Sequence, residues 1–435
     1  MSSGAIGVNG APMRKRRGFH YAFLIVASGI VITCIPCALV LNCAGIFFRP
    51  VAGYFGVPIA RFTLYFSILN LAMMVTLPIA GKLMAKADLR IVLSAAVLID
   101  GLSYLAMSQF TDIWMFYIAG VFLGIGTAPL IYLAIPTLVN NWCRVRIGFF
   151  IGLCMAFAGI GGVIFNPIGT AFINSGTEGW RMGYLAFGAI MLAVALPFTA
   201  IVVRTRPADK GVEAYGVDSA ADRVDMDAPA EGISAAAAMK TAAFLAVVVF
   251  CFLITVNQTV YQFLASYCQS FGVQDIALAA GAVTSACMAG QALGKIILGA
   301  INDRNPRGGL LFGLSGGIAG ILVLWLLPLS VVLLMAGAFL FGFAYACTTV
   351  EVPLLTRAVF GPRDYTVIYS RVSMAGTLGS VVAAVFWAWI IDLPNGFLLM
   401  FGLSIVCMVA ALLLGLFALG RANASTAGSS GDVAE

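Results

Sequence analysis

Between Tyr21 and Gly420 the chain is a succession of apolar runs, each long enough to cross about 30 Å of hydrocarbon. Lipid offers no water to backbone N–H and C=O groups, so each run has to close its own hydrogen bonds as an α-helix. The expected fold class is an all-α membrane protein. Twelve transmembrane helices are read, at 20–44, 61–83, 90–109, 113–139, 148–173, 182–203, 241–269, 277–301, 309–327, 330–356, 367–391 and 396–420. With 62% hydrophobic and 10% charged residues, the composition excludes a soluble globular protein. The first run is too long, and followed by too many others, for a cleaved signal peptide.

The net charge of +6 reports topology rather than nucleic-acid binding, because the basic residues sit at span ends. Arg14, Lys15, Arg16 and Arg17 precede the first span, and Lys82, Lys86, Arg90, Arg144, Arg146, Arg204, Arg304, Arg307, Arg357 and Arg363 fall on the same side. Only Arg49, Arg61 and Arg181 fall on the other. By the positive-inside rule both termini are expected in the cytoplasm. Residues 1–19 read as a cytoplasmic tail, 20–203 and 241–420 as two six-helix bundles, 204–240 as a hydrophilic linker, and 421–435 as a disordered cytoplasmic tail.

Several motifs take a structural reading. Nearly all of the ten cysteines lie inside apolar runs, where Cys behaves as a small hydrophobe, so no disulfide framework is expected. Cys34 and Cys37 have CxxC spacing but no His or acid nearby, and the single histidine, His20, cannot build a relay or a metal site alone. The Ala-Gly-Ile-Gly-Gly run at 158–162, Gly120 with Gly124, and Gly290 with Gly294 have the spacing of close helix packing. No phosphate-binding lysine motif occurs, and no nucleophile, base and orienting group converge. An enzyme is not expected, nor is any cofactor or metal.

The two halves repeat. Gly81 after the second span and Gly299 after the eighth are 218 residues apart; Gly159 in the fifth and Gly376 in the eleventh are 217 apart. Trp142 and Phe360, before the fifth and eleventh spans, share the 218-residue offset. One offset for three anchors implies two pseudo-symmetric six-helix bundles. Gly299, Ile301, Asp303, Arg304 and Arg307 form a loop that resembles the signature of the major facilitator superfamily. In the first half Gly81, Leu83, Lys86 and Arg90 fit, while Ala85 stands where the acid belongs. The resemblance covers essentially the whole chain. It implies alternating access by two rocking bundles, with Asp303 and Arg304 in a charged latch.

Asn141-Trp142, Arg144, Arg146 and Gly148, followed by the 158–162 glycines, Asn166-Pro167 and Gly179-Trp180-Arg181, resemble the oxalate/formate antiporter and monocarboxylate transporter branch. That branch usually has an arginine in the eighth span, four residues before the loop glycine, holding a substrate carboxylate. Lys295 occupies that place here and lacks the planar bidentate fork. The antiporter's second cation, in the eleventh span, has no counterpart around Gly376; Arg371 lies one to two turns earlier.

Thr284, Met288, Gln291 and Lys295 share one face of the eighth helix. A cation near mid-membrane costs roughly 2.5–3.5 kcal/mol even on the lenient insertion scale, so Lys295 is expected to face inward. Substrate anchoring, a structural ion pair and snorkelling to the nearby surface are its three readings. Glu351 and Arg371 lie at similar depth on consecutive antiparallel helices, and a salt bridge between them is expected, with proton coupling through Glu351 as the alternative. Asp100, about 15 Å into the third span, is a further coupling candidate. In the polar seventh span Asn257 with Tyr261, and Gln258 with Gln262, are i,i+4 pairs that either face a cavity or join helices. Thr33, Pro36, Cys37 and Asn42 are expected on the opposite wall.

The resulting expectation is a monomeric secondary transporter in a bacterial cytoplasmic membrane, moving a small organic anion by proton symport or exchange. Lys295, Gln291, Gln258, Tyr261, Gln262 and Arg371 would bind substrate; Glu351, Asp100, Asp303 and Arg304 would serve coupling or gating. The alternatives are an exporter of a neutral or lipophilic solute and a non-transporting membrane sensor.

Overall fold

The structure is a computed structural model that describes residues 20–216, 232–270, 280–327 and 330–431. Twelve helices are long and apolar enough to span a membrane: α1 Tyr21–Asn42, α2 Arg61–Lys86, α3 Leu89–Met107, α4 Ile113–Trp142, α5 Ile147–Ile173, α6 Gly179–Val202, α7 Ala242–Phe263, α8 Ala282–Asn302, α9 Pro306–Leu326, α10 Val331–Phe360, α11 Tyr365–Ile391 and α12 Gly396–Arg421. Among the described residues β pairing is limited to one isolated bridge, Cys143 with Tyr215.

Polar caps set several starts. Asp88, Thr241, Asn305 and Ser330 each accept a backbone N–H in the first turn of α3, α7, α9 and α10, satisfying donors a helix start leaves orphaned. On α2 the four-residue series Leu71, Val75 and Ile79 is 52–64% exposed, an apolar stripe suited to lipid. The opposite stripe, Leu69, Met73 and Leu77, is buried.

Helices α1–α6 and α7–α12 form two bundles. The widest seams between bundles are α2 against α11 and α5 against α8. Glycines let these backbones meet: a Cβ on Gly148 would collide with the Gly299 carbonyl, one on Gly152 with the Lys295 carbonyl, and one on Gly81 with Ser370. These contacts lie toward the end of the molecule that carries Lys82, Arg90, Arg144, Arg304 and Arg357, here called the basic end.

Four expectations need correction. The seventh helix tightens to 3-10 geometry over Thr259–Phe263, so i,i+3 positions eclipse there and the expected i,i+4 pairs of Gln258 and Asn257 are broken. The tail expected to be disordered continues the last helix as far as Gly431. The linker docks instead of only spanning: Arg144 N–H donates to Tyr215 O (2.9 Å) and Tyr215 N–H to Trp142 O (2.9 Å). Its residues 217–231, like the 1–19 tail, lie outside the described residues. In α1, expected as a cavity wall, Thr33, Pro36 and Cys37 are buried against neighbouring helices, while the exposed Asn42 donates from Nδ2 to Ala158 O of α5 (2.7 Å). Pro36 lies in a π-helical stretch, Thr33–Asn42, whose Leu39 carbonyl accepts from Tyr104 Oη (2.9 Å) and whose Thr33 hydroxyl donates to Cys154 O of α5 (2.6 Å).

Candidate functional site

Lys295 projects from α8 into the seam with α5, seven residues before Asn302 and thus about 10 Å from the helix end. It is 4% exposed, and its Nζ donates to the backbone carbonyl of Met155 in the other bundle (3.2 Å). No carboxylate lies within 4.0 Å of it among the described residues, so the ion-pair and snorkelling readings are both displaced. An ammonium has three N–H donors; one carbonyl satisfies only one of them. The result is a buried cation held between bundles with spare donor capacity.

Around it the second bundle supplies neutral hydrogen-bonding groups. Gln291, one turn earlier on α8, is buried, and its side chain reaches Tyr345 of α10. Tyr345 stacks on Tyr261 of α7, with ring centroids 5.0 Å apart and planes at 29°. Tyr261 in turn contacts the side chain of Gln262, which is exposed. Gln258 lies in a narrow seam with Asn257, Leu314, Phe341, Tyr345 and Met408. Asn257 joins helices: its Nδ2 donates to Ser404 O (3.0 Å) and its Oδ1 accepts from Ser404 Oγ (2.6 Å). The structure thus gathers Lys295, Gln291, Tyr261 and Gln262, with Gln258 behind them. Tyr345, which links them, was not singled out from the sequence; its signal was a phenol inside an apolar helix, where a buried hydroxyl requires a partner.

The expected Glu351–Arg371 salt bridge is absent among the described residues. Glu351 is fully buried on α10 and accepts from Asn302 Nδ2 through Oε2 (2.7 Å), leaving Oε1 without a partner. Asn302, at the α8 terminus, reached the acid first because helix rotation, which depth alone does not reveal, turns Glu351 toward α8. Arg371 is half-buried on α11, one residue beyond Ser370 at the α2 seam, and its Nε has no hydrogen-bond partner. Asp100 is buried inside the first bundle, accepting from Thr127 Oγ1 (3.0 Å), with Oδ1 unpartnered against Gly126. It lies among α1, α3 and α4, away from the Lys295 seam.

At the basic end Asp303 reaches across bundles. Its carboxylate accepts from the N–H groups of Gly148 (2.6 Å) and Phe149 (2.9 Å) in the first turn of α5. Arg357 donates to Asn140 of α4, and the hydroxyls of Thr137 and Thr366 are 3.3 Å apart. With Lys295 to Met155, these five hydrogen bonds join the bundles in the basic half, and that end is closed. Arg304, the other latch candidate, is exposed at the rim of a cavity there.

The sequence profile of the Major Facilitator Superfamily matches residues 19–330 and 275–432. The chain is 23% identical over 326 residues to the uncharacterized MFS-type transporter YhjX of Escherichia coli strain K12, covering 74% of this chain and 77% of that one. The crystal structure of the MFS transporter FucP in its outward conformation superposes with a TM-score of 0.69 at 13% identity, over 92% of this chain and 99% of that one. A second crystal structure, of the E. coli fucose:proton symporter FucP, gives 0.66 at 14%, over 92% and 98%. These likenesses to solved structures show the fold, and the profile, which spans nearly the whole sequence, shows the family: the chain belongs to the Major Facilitator Superfamily.

Proposed function

We propose that this secondary transporter carries a small organic anion, a mono- or dicarboxylate, and that Lys295 is its anchoring charge. The supporting observation is a buried ammonium whose one partner among the described residues is a carbonyl on the opposite bundle. Burying an unpaired charge is strongly unfavourable, so a site that retains one is suited to a ligand of opposite sign. When the bundles rock apart along the α5–α8 seam, the Met155 carbonyl leaves and Lys295 is free for a carboxylate. Gln291, Tyr345, Tyr261 and Gln262 would then hydrogen-bond and stack on the rest of the solute, with Gln258 supporting Tyr345 and Arg371 offering a second positive group. Glu351 and Asp100, each with an unpartnered oxygen, are the candidates for proton coupling. The basic end faces the cytoplasm in this reading, in the cell membrane of a bacterium, and the protein works as a monomer. The resemblance to the oxalate/formate and monocarboxylate branch agrees with the anion and is limited by Lys standing for Arg.

A second reading is a neutral solute, favoured by the stacked tyrosines and flanking amides. Flux in proteoliposomes across a panel of small carboxylates, with and without a proton gradient, separates the two. Carboxylate uptake in the wild type that vanishes in a folded Lys295→Gln variant supports the anion reading. Undiminished flux in that variant, or none of any carboxylate in the wild type, moves the function to a neutral solute.

A further inference from the structure

A second site lies at the basic end. A cavity of about 720 Å³ there is walled by both bundles, and its lining carries four arginines. Arg144 and Arg146 come from the α4–α5 connection; Arg304 follows α8 and Arg357 belongs to the last turn of α10. Asp303 is the acidic group in the lining, and both its oxygens are engaged by the N–H groups of Gly148 and Phe149. The cavity therefore holds a formal surplus of three positive charges, divided between the bundles.

The arginine-bearing walls are braced. Trp142 Nε1 donates to Arg204 O (2.8 Å), and the linker residue Tyr215 pairs with Trp142 and Arg144 on their backbones. Arg146 is held left-handed at φ 55°, ψ 35°, where the chain turns into α5. Arg357 is tied to Asn140 of the other bundle. Arg144 and Arg357, one from each bundle, lie within electrostatic reach of each other. Like charges gathered on two walls oppose closure, and water and salt relieve that only in part over distances under about 8 Å.

We propose that this cavity binds a phosphate-bearing polyanion, which bridges the two arginine pairs and holds the basic end closed. Guanidinium groups present paired N–H donors that match phosphate oxygens, and two pairs on facing walls suit a di- or triphosphate better than a single carboxylate. The volume lies within the usual range for small-molecule sites. The Gly148–Gly299 contact closes the α5–α8 seam between this cavity and Lys295, so the ligand is a regulator and not the cargo. Two sources present the same chemistry at a membrane surface: a soluble polyphosphate and the two-phosphate headgroup of cardiolipin.

The test uses the full chain in phosphatidylcholine nanodiscs, titrated with inorganic pyrophosphate against potassium chloride of equal ionic strength. Calorimetry reads affinity, and hydrogen exchange reads closure through residues 144–152 and 299–307. The comparison variant is Arg144→Gln with Arg304→Gln, both exposed side chains, with its melting temperature as the folding control. Expected are saturable binding, slower exchange of both segments, and an affinity weaker by about tenfold or more in the variant. If nanodiscs containing cardiolipin, whose headgroup carries two phosphates, give the same arginine-dependent protection without pyrophosphate, the headgroup is the source and the site stands. No protection from either source in the wild type, or equal protection in the variant, overturns the proposal. None of these readouts is flux, so the outcome is independent of the transport assignment.

Discussion

Asp303, at the end of α8, caps the first turn of α5 in the opposite bundle by accepting from the N–H of Gly148 at 2.6 Å and of Phe149 at 2.9 Å. A carboxylate there satisfies two orphaned donors and meets the positive end of the helix dipole. At the corresponding position in the first half stands Ala85, and α11 follows Asp364, which makes no side-chain cap bond. The closing device is therefore one-sided.

Replacing Asp303 by Asn keeps the shape and removes the charge. Charge-assisted bonds of this kind contribute about 1.5–3 kcal/mol, so the basic end should open by roughly tenfold or more in population. Spin-label distances across α5 and α8 would register the shift; an unchanged distribution would show that the cap does not control closure.

Lys295→Gln removes a buried cation and leaves a shorter, neutral amide in its place. Because the charge has no ion partner among the described residues, its loss should leave the melting temperature unchanged or raise it. A marked fall would mean that the ammonium is part of the architecture.

Gly152→Val places a branched side chain against the Lys295 backbone carbonyl. Overpacking of this sort costs about 1–3 kcal/mol, and here it falls on the closed seam. The variant should fold, since each bundle is untouched internally, yet rest with its basic end apart, as measured by hydrogen exchange in residues 147–155. Wild-type protection there would mean that the seam yields.

The third helix carries a pH-dependent cap outside the membrane core. Thr205 Oγ1 donates to Asp88 at 2.6 Å and the Arg90 N–H at 3.0 Å, and the Thr205 bond, opposed by slight burial, holds the carboxyl below its usual value. A lowered native value means that this stabilisation is full above about pH 4 and is lost as pH falls through the native value. Thermal melts of Asp88→Ala should lie below wild type at pH 7 by the loss of a cap worth about 1 kcal/mol, and approach it as pH falls through the native value. Parallel curves would locate the acid sensitivity elsewhere.

The spans, the two bundles and the inward turn of Lys295 were legible because apolar length and the cost of a membrane charge act locally on the sequence. Azimuth was not. Glu351 and Arg371 match in depth, but α10 turns its acid toward Asn302. The polar face of α7 was drawn on a 3.6-residue wheel, whereas Thr259–Phe263 is wound more tightly, which sends Asn257 to Ser404 and brings Tyr261 to Tyr345. Tyr345 itself escaped notice because a single phenol between Ala344 and Ala346 carries no periodic signal.

The glycine contacts along α5 and α8 have a mechanical meaning. Where Gly148 meets Gly299 and Gly152 meets the Lys295 backbone, main chain packs on main chain, and polar side chains, Lys295 and Asp303, cross the seam beside them. The glycine-lined surfaces behave as a smooth bearing: separating them along this line releases polar contacts rather than interdigitated apolar knobs. Resistance to motion is then concentrated in a few polar fasteners, so the speed of the cycle should respond to single hydrogen bonds more than to the size of the interface.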